Sequence, residues 1–92
     1  MKLEKLYEII QKRREEKPCG SYVADLINKG ADRIIQKVGE EAVEVVIAAK
    51  NTDNKRIISE STDLLFHLMI LLEMNNITLD DIYAELDKRN KK

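Results

Sequence analysis

Apolar residues along the chain recur three or four positions apart, and strand-like alternation of apolar and polar residues is absent. In the N-terminal segment, Leu3, Leu6, Tyr7 and Ile10 fall on one face of a helix predicted from about residue 3 to 16. Such an apolar stripe is typical of a helix that packs one side on a core. Glycine and proline, which interrupt helices, number only three and one. The pattern therefore predicts an all-α fold.

Breaking and capping residues divide the chain into about five helices. Pro18 and Gly20 end the first helix, and Ser21 can cap a short second helix, "YVADLINK", which stops at Gly30. A third helix is predicted from about residue 31 to 50.

The last two helices are marked by their N-terminal caps. The turn "NTDN" offers Thr52 or Asp53 as the cap of a fourth helix that runs to about residue 75. Thr78 and Asp81 form a capping-box pattern for a fifth helix, "LDDIYAELDKR". Because short turns favour antiparallel neighbours, residues 1–92 are predicted to form one domain, an antiparallel helical bundle.

The third helix carries three glutamates inside its most apolar stretch, "KVGEEAVEVVIAAK". Glu40, Glu41 and Glu44 fall within an arc of roughly 100°. The opposite face is predicted to enter the core, and it carries Ile35, Val38, Ala42, Val45 and Ala49. Ile47 and Ala48 continue the glutamate side with apolar groups, so the stripe is not a plain solvated face.

The fourth helix has a matching acidic stripe. Glu60, Asp63 and His67 lie within about 60° of one another, at positions i, i+3 and i+7. In an antiparallel pair, this stripe and that of the third helix can face each other. His67 has two interpretations, a hydrogen-bonded core histidine or a residue that orients Asp63 or Glu60.

Carboxylates that converge in a partly apolar site repel one another unless a cation intervenes. Oxygen ligands without a cysteine cluster fit Mg²⁺, with Mn²⁺ as an alternative, rather than zinc. The competing interpretation is a helix face of ordinary salt bridges, such as Lys37 with Glu41 at i+4.

Several basic or polar residues lie where the phosphates of a substrate bound to such a metal could reach them. For any single one of the basic residues, surface solubility is the better explanation, and a helix cap fully explains the serine. These candidates are Arg13, Arg14, Ser21, Lys29, Arg33 and Lys37.

Overall charge and cysteine content narrow the function classes. A net charge of -1 argues against charge-driven binding to nucleic acid or to an anionic membrane. Cys19 is the only cysteine, which favours a reducing cytoplasm. The longest apolar stretch, residues 64–72, is too short to span a bilayer.

The two acidic motifs also carry a family resemblance. Glu40-Glu41-x-x-Glu44 followed by Glu60-x-x-Asp63 resembles the all-α NTP pyrophosphatase (MazG-like) superfamily. The longer runs "GSYVADLINKGADRIIQKVGEEAVEVVIAAK" and "ESTDLLFHLMILL" resemble the phosphoribosyl-ATP pyrophosphohydrolase family more narrowly, and the likeness extends from about residue 3 to 89.

This resemblance implies hydrolysis of phosphoribosyl-ATP to phosphoribosyl-AMP and pyrophosphate, the second step of histidine biosynthesis. By the same resemblance, Glu41, Glu44, Glu60 and Asp63 would bind Mg²⁺, and Glu40 would be a further ligand or an orienting group. The three glutamates of the third helix form the predicted catalytic group, with Glu40 or Glu41 as the base. The family likeness also implies a homodimer and a link to phosphoribosyl-AMP cyclohydrolase.

A dimer has independent support, because a chain this short with several apolar helix faces has more surface to bury than its own helices can cover. Two other functions remain open from the residues alone. One is a house-cleaning pyrophosphatase for dCTP, dUTP or damaged nucleotides, which needs the same metal site. The other is a non-catalytic helical dimerisation module.

Overall fold

A computed structural model describes residues 1–90, and these residues fold into helices without any strand. The helices are α1 (Leu3–Glu16), α2 (Tyr22–Lys29), α3 (Ala31–Lys50), α4 (Asn54–Met74) and α5 (Leu79–Asn90). The all-α prediction and the division into five helices are confirmed. Completion of the bundle by a second copy stays a prediction.

The predicted caps are present at three helix starts. The Ser21 hydroxyl accepts a hydrogen bond from the backbone N–H of Ala24 at 3.2 Å, and α2 follows it directly. Asp53, rather than Thr52, caps α4, since its carboxylate accepts from the N–H of Arg56 at 3.2 Å.

The capping box before α5 has both of its reciprocal bonds. The N–H of Thr78 donates to the Asp81 carboxylate at 2.9 Å, and the N–H of Asp81 donates to the Thr78 hydroxyl at 3.1 Å. These bonds satisfy backbone donors that the first turn of a helix leaves without partners.

The end of α1 depends on a residue that was not predicted to have a special conformation. Lys17 adopts the left-handed region with φ of 49°, and its N–H donates to the carbonyl of Arg13 at 3.0 Å. A non-glycine residue in this region is uncommon but closes a helix well. Lys17 therefore holds the turn that leads through Pro18 into α2.

The core lies where α1, α2 and α3 pack around α4. Ile10, Ile34 and Ile70 are fully buried at its centre. The antiparallel pair of α3 and α4 has the most extensive contact of any two helices, and α1 packs on α4 while α2 bridges α1 and α3.

Helix α5 is only lightly attached to the rest of the chain. Leu79 at its start is buried, but residues 80–90 are all exposed. Two tyrosines support the attachment, because Tyr7 donates a hydrogen bond to the carbonyl of Ile77 at 2.8 Å and Tyr83 donates to the Glu4 carboxylate. Within residues 1–90, no helix is long and apolar enough to cross a membrane.

The predicted core face of α3 was partly wrong. Ile35, with 55% of its surface exposed, and Ala49 lie outside the core, while Ile34 and Ala48 are buried. The remaining predicted positions, Val38, Ala42 and Val45, are half-buried. The physical reason is that α3 packs on α4 through the side that carries Glu41, so the buried stripe is rotated toward the acidic residues.

Candidate metal centre between the third and fourth helices

Three carboxylates from two helices converge at the contact between α3 and α4. Glu41 comes from α3, and Glu60 and Asp63 lie one turn apart on α4. One oxygen atom from each of them lies within 4.8 Å of the others. Glu41 and Glu60 are half-buried and Asp63 is exposed, so the cluster opens to solvent on one side.

The charges in this cluster oppose one another. Burial is the largest cause of a raised pKa at the Glu60 carboxyl, and nearby negative charges add to the shift. Those charges belong to Asp63, Glu44 and Glu41, whereas Arg56 lowers the pKa. A site in which burial and repulsion both disfavour the carboxylate form is one that a bound cation would relieve.

The donor set fits a small divalent cation. Two oxygen ligands about 2.1 Å from Mg²⁺ on opposite sides stand about 4.2 Å apart, so oxygens already within 4.8 Å need little movement to share an ion. All three donors are carboxylate oxygens, which Mg²⁺ and Mn²⁺ prefer. The residues present can therefore hold either metal.

The other two predicted glutamates flank the cluster. Glu44 lies 3.4 Å from the Arg56 guanidinium, and its side chain is 44% exposed. Glu40 is exposed, and its carboxylate lies 3.9 Å from the Lys37 ammonium. The five predicted acids thus divide into a converged group of three and a rim of two.

Two cations accompany these acids. The Lys37 ammonium is 3.6 Å from the Glu41 carboxylate, and only 22% of this lysine side chain is exposed. Arg56 was not predicted as a site residue, although it precedes Glu60 by four positions and therefore shares its helix face. The i, i+4 spacing was the signal that could have identified it.

Arg14 lies far from the metal cluster. Its Nη1 donates to the backbone carbonyl of Glu73 at 2.9 Å and lies 3.2 Å from the Glu73 carboxylate, which is 8% exposed. Glu73 follows Asp63 by ten positions, which corresponds to about 15 Å along a helix axis. Arg14 therefore joins α1 to the C-terminal end of α4.

The remaining predicted phosphate-binding residues are dispersed. Lys29 pairs with Asp25 at 3.2 Å on the surface of α2, and Arg13 is exposed near the end of α1. Arg33 is half-buried on α3, one turn before Lys37, and Ser21 caps α2. Among the predicted basic residues, only Lys37 contacts acids of the site within residues 1–90.

His67 is buried and hydrogen-bonded at both ring nitrogens. Its Nδ1 lies 2.8 Å from the carbonyl oxygen of Asp63, and because a carbonyl only accepts, Nδ1 carries the proton. Its Nε2 lies 2.8 Å from the Tyr22 hydroxyl oxygen. His67 thus contacts the backbone of Asp63 rather than its carboxylate, which agrees with the core-histidine interpretation; an orienting role stays a prediction.

Comparison with known proteins identifies the family of the chain. A family model described as phosphoribosyl-ATP pyrophosphohydrolase matches residues 3–90. The chain belongs to this family. The resemblance stated from the acidic motifs is confirmed, and the two carboxylate motifs come together in space within the matched region.

Relatives of the family match nearly the whole chain. A phosphoribosyl-ATP pyrophosphatase of Methanosarcina acetivorans is 49% identical over 92 residues, covering 98% of this chain and 88% of the relative. One from Saccharolobus islandicus strain L.S.2.15 is 45% identical over 89 residues, covering 97% and 95% respectively.

A third relative is a longer protein. The histidine biosynthesis bifunctional protein HisIE of Caldanaerobacter subterraneus subsp. tengcongensis is 54% identical over 90 residues. The match covers 98% of this chain but only 44% of that relative.

Proposed function

We propose that this family member hydrolyses phosphoribosyl-ATP to phosphoribosyl-AMP and pyrophosphate, the second step of histidine biosynthesis. The observation that carries the proposal is the convergence of Glu41, Glu60 and Asp63 to within 4.8 Å inside the region that the family model matches. The names of the two full-length relatives support the substrate.

The cofactor that we propose is Mg²⁺, with Mn²⁺ as a substitute. Glu41, Glu60 and Asp63 would hold it, and Glu44 would join them on release from Arg56, 3.4 Å away. Bound there, the ion supplies the positive charge that neutralises phosphate oxygens and activates a water molecule. Its ligands are all on helices that pack on each other extensively, which favours a fixed site.

The chain's own residues have separate roles in the reaction. Glu40 is exposed at the rim, so it can accept a proton from the attacking water; Glu41 is the alternative base. The water oxygen bonds to the α-phosphorus, and the bond from that phosphorus to the oxygen shared with the β-phosphorus breaks. Lys37 and Arg56 flank the acids and stabilise the negative charge that develops on the pyrophosphate.

We further propose that the active form is a homodimer. Large apolar side chains are exposed on one helix pair, and they are Ile35, Val43, Val46 and Ile47 on α3 with Ile58 and Leu65 on α4. A second copy that covered this surface would enlarge a core that is small in one chain. The same two helices carry the metal ligands.

The cellular setting follows from the proposed reaction. Its product is the substrate of phosphoribosyl-AMP cyclohydrolase, and the bifunctional relative named for histidine biosynthesis supports a functional link between the two activities. A cytoplasmic location is supported by the single, exposed Cys19, which needs no oxidising compartment.

The test is the release of pyrophosphate from phosphoribosyl-ATP in Mg²⁺, compared with ATP and dCTP. We expect the wild type to prefer phosphoribosyl-ATP, and Glu41→Gln to lose at least about a hundredfold in kcat because a metal ligand loses its charge. Glu16→Gln, on the exposed end of α1, is the matched control. Preference for dCTP would identify a house-cleaning pyrophosphatase, and full activity of Glu41→Gln would remove the metal assignment.

A further inference from the structure

A cavity of about 420 Å³ lies between the end of α1 and α2, separate from the acidic cluster. Arg14 and Lys17 line it on one side, and Ser21, Asp25 and Asn28 line it on the other. Its volume lies within the range of small-molecule sites in proteins. None of the reaction steps proposed above makes use of this cavity.

The charges around the cavity leave a positive excess. Arg14 is paired with the buried Glu73, and Asp25 is paired with Lys29 at 3.2 Å. No carboxylate within residues 1–90 lies within 4.0 Å of the Lys17 ammonium. One cation is therefore available for an anion that enters the cavity.

Arg14 adds a fixed donor to the same wall. All its hydrogen bonds to residues 1–90 leave from Nη1, toward Glu73 and Asn76. The opposite edge of the guanidinium keeps its N–H groups for another acceptor. A guanidinium already held in place loses little side-chain entropy on binding.

The position of the cavity limits which anion can reach it. Arg14 contacts Glu73, about 15 Å along α4 from Asp63. A triphosphate whose α-phosphate lies at the metal cluster has only two more phosphate units, which is too short for that distance. The α2 helix connects the cavity with the acidic cluster. Ser21 lines the cavity, and the next residue, Tyr22, is hydrogen-bonded to His67, one turn from Asp63.

We infer that this cavity binds the 5′-phosphate of the ribose attached to the adenine ring of phosphoribosyl-ATP. The inference rests on the proposed function. In that substrate, a ribose, a purine and a second ribose separate the reacting phosphate from this distal phosphate, and their combined length is comparable to the distance along α4. ATP lacks the distal group, so the cavity selects phosphoribosyl-ATP over ATP.

Lys17 is the residue that makes this inference testable. Lys17→Gln removes the charge, whereas Lys17→Arg keeps it. Neither variant places a glycine or a proline at this left-handed backbone position. Lys12→Gln is the control, because Lys12 is an exposed lysine of α1 that pairs with Glu8 at 3.9 Å. Equal melting temperatures of the four proteins exclude a folding effect.

The measurement is kcat and KM for phosphoribosyl-ATP and for ATP. Because one charge-assisted hydrogen bond is lost, we expect Lys17→Gln to raise KM for phosphoribosyl-ATP about tenfold with little change in kcat. The preference for phosphoribosyl-ATP over ATP, as a ratio of kcat/KM, should fall by the same factor. Lys17→Arg should recover most of it, and Lys12→Gln should keep the wild-type ratio.

Three results would overturn the inference. If Lys17→Gln kept the wild-type ratio of kcat/KM for phosphoribosyl-ATP over ATP, Lys17 would not bind the distal phosphate. Equal losses with both substrates would assign the cation to the shared polyphosphate instead. A wild type that releases pyrophosphate from ATP or dCTP but not from phosphoribosyl-ATP would refute the proposed function itself, and the inference with it.

A binding experiment gives a readout that is independent of catalysis. Ribose 5-phosphate titrated into the wild type without Mg²⁺ should shift the amide NMR signals of residues 17–28, and Lys17→Gln should need about tenfold more of it. Shifts at the acidic cluster instead of this segment would contradict the assignment.

Discussion

Glu60 is a carboxyl group whose surroundings oppose its own charge. Burial raises its pKa above the ordinary value of 4.5, and the neighbouring acids raise it further. Between the ordinary and the raised pKa, the folded chain binds a proton more tightly than the unfolded chain does. Without metal, the free energy of unfolding therefore falls as pH rises through this window, and it stays reduced above it.

Replacement of Glu60 should distinguish the effect of carboxylate repulsion on stability from the effect of metal binding. Without Mg²⁺ at pH 7, we expect Glu60→Gln to melt a few degrees above the wild type, because an opposed charge is gone. With Mg²⁺ at ten times its Kd, the wild type should gain roughly 5–10 °C and the variant much less. Thermal melts at pH 4 and pH 7, with and without Mg²⁺, measure both effects.

The control for this prediction is Glu16→Gln, which removes a carboxylate from the exposed end of α1. It should change neither the metal-free melting temperature nor the gain with Mg²⁺. A Glu60→Gln protein that melts below the wild type without metal, yet gains as much from Mg²⁺, would mean that the three acids neither repel nor share an ion.

At the scale of the helices, the caps were predictable from the sequence, but the side of each helix that packs on its neighbour was not. Ser21, Asp53 and Thr78 cap helices through residues three positions away, so their role depends only on neighbouring sequence. The side of α3 that meets α4 depends on the whole pair. Ile35 was accordingly predicted in the core, although Ile34 is the buried residue.

The same distinction applies to the candidate site. Glu41, Glu60 and Asp63 were predictable as a group because helical spacing and an antiparallel turn bring them together. The contact between Arg14 and Glu73 joins residues 59 positions apart, and no periodicity in the chain indicates it. For this reason the sequence suggested a phosphate contact for Arg14 but not its attachment to the end of α4.

The link between α1 and α4 should contribute measurably to stability. Glu73 is buried, so Arg14→Met leaves an unpaired carboxylate and should lower the free energy of unfolding by about 2–3 kcal/mol in urea denaturation. Combining it with Glu73→Met should recover much of the loss, because both charges are then replaced by apolar groups.

Lys12→Met is the matched control for this link. Its ion pair with Glu8 is exposed and spans 3.9 Å, so the loss should stay below about 0.5 kcal/mol. If Arg14→Met were no more destabilised than Lys12→Met, the contact with Glu73 would not hold the two helices together.

For the whole molecule, the distribution of apolar surface is the feature that one chain does not explain. Val46 on α3 is 61% exposed and Ile58 on α4 is 68% exposed, on the helix pair that also carries the acidic cluster. Helix α5 adds Leu86, 58% exposed, beyond its single buried residue, Leu79. Apolar surface concentrated on one helix pair of a small domain marks an interaction site.

A charge placed in this surface should prevent a dimer from forming. We expect the wild type to have twice the 10.6 kDa mass of one chain by light scattering, and Val46→Lys to have the mass of one chain, because an unpaired ammonium would be buried between the copies. Gln11→Lys adds the same charge on exposed α1 and should keep the larger mass. A wild type of 10.6 kDa at micromolar concentration would refute the dimer, and the metal site would then have to be complete within one chain.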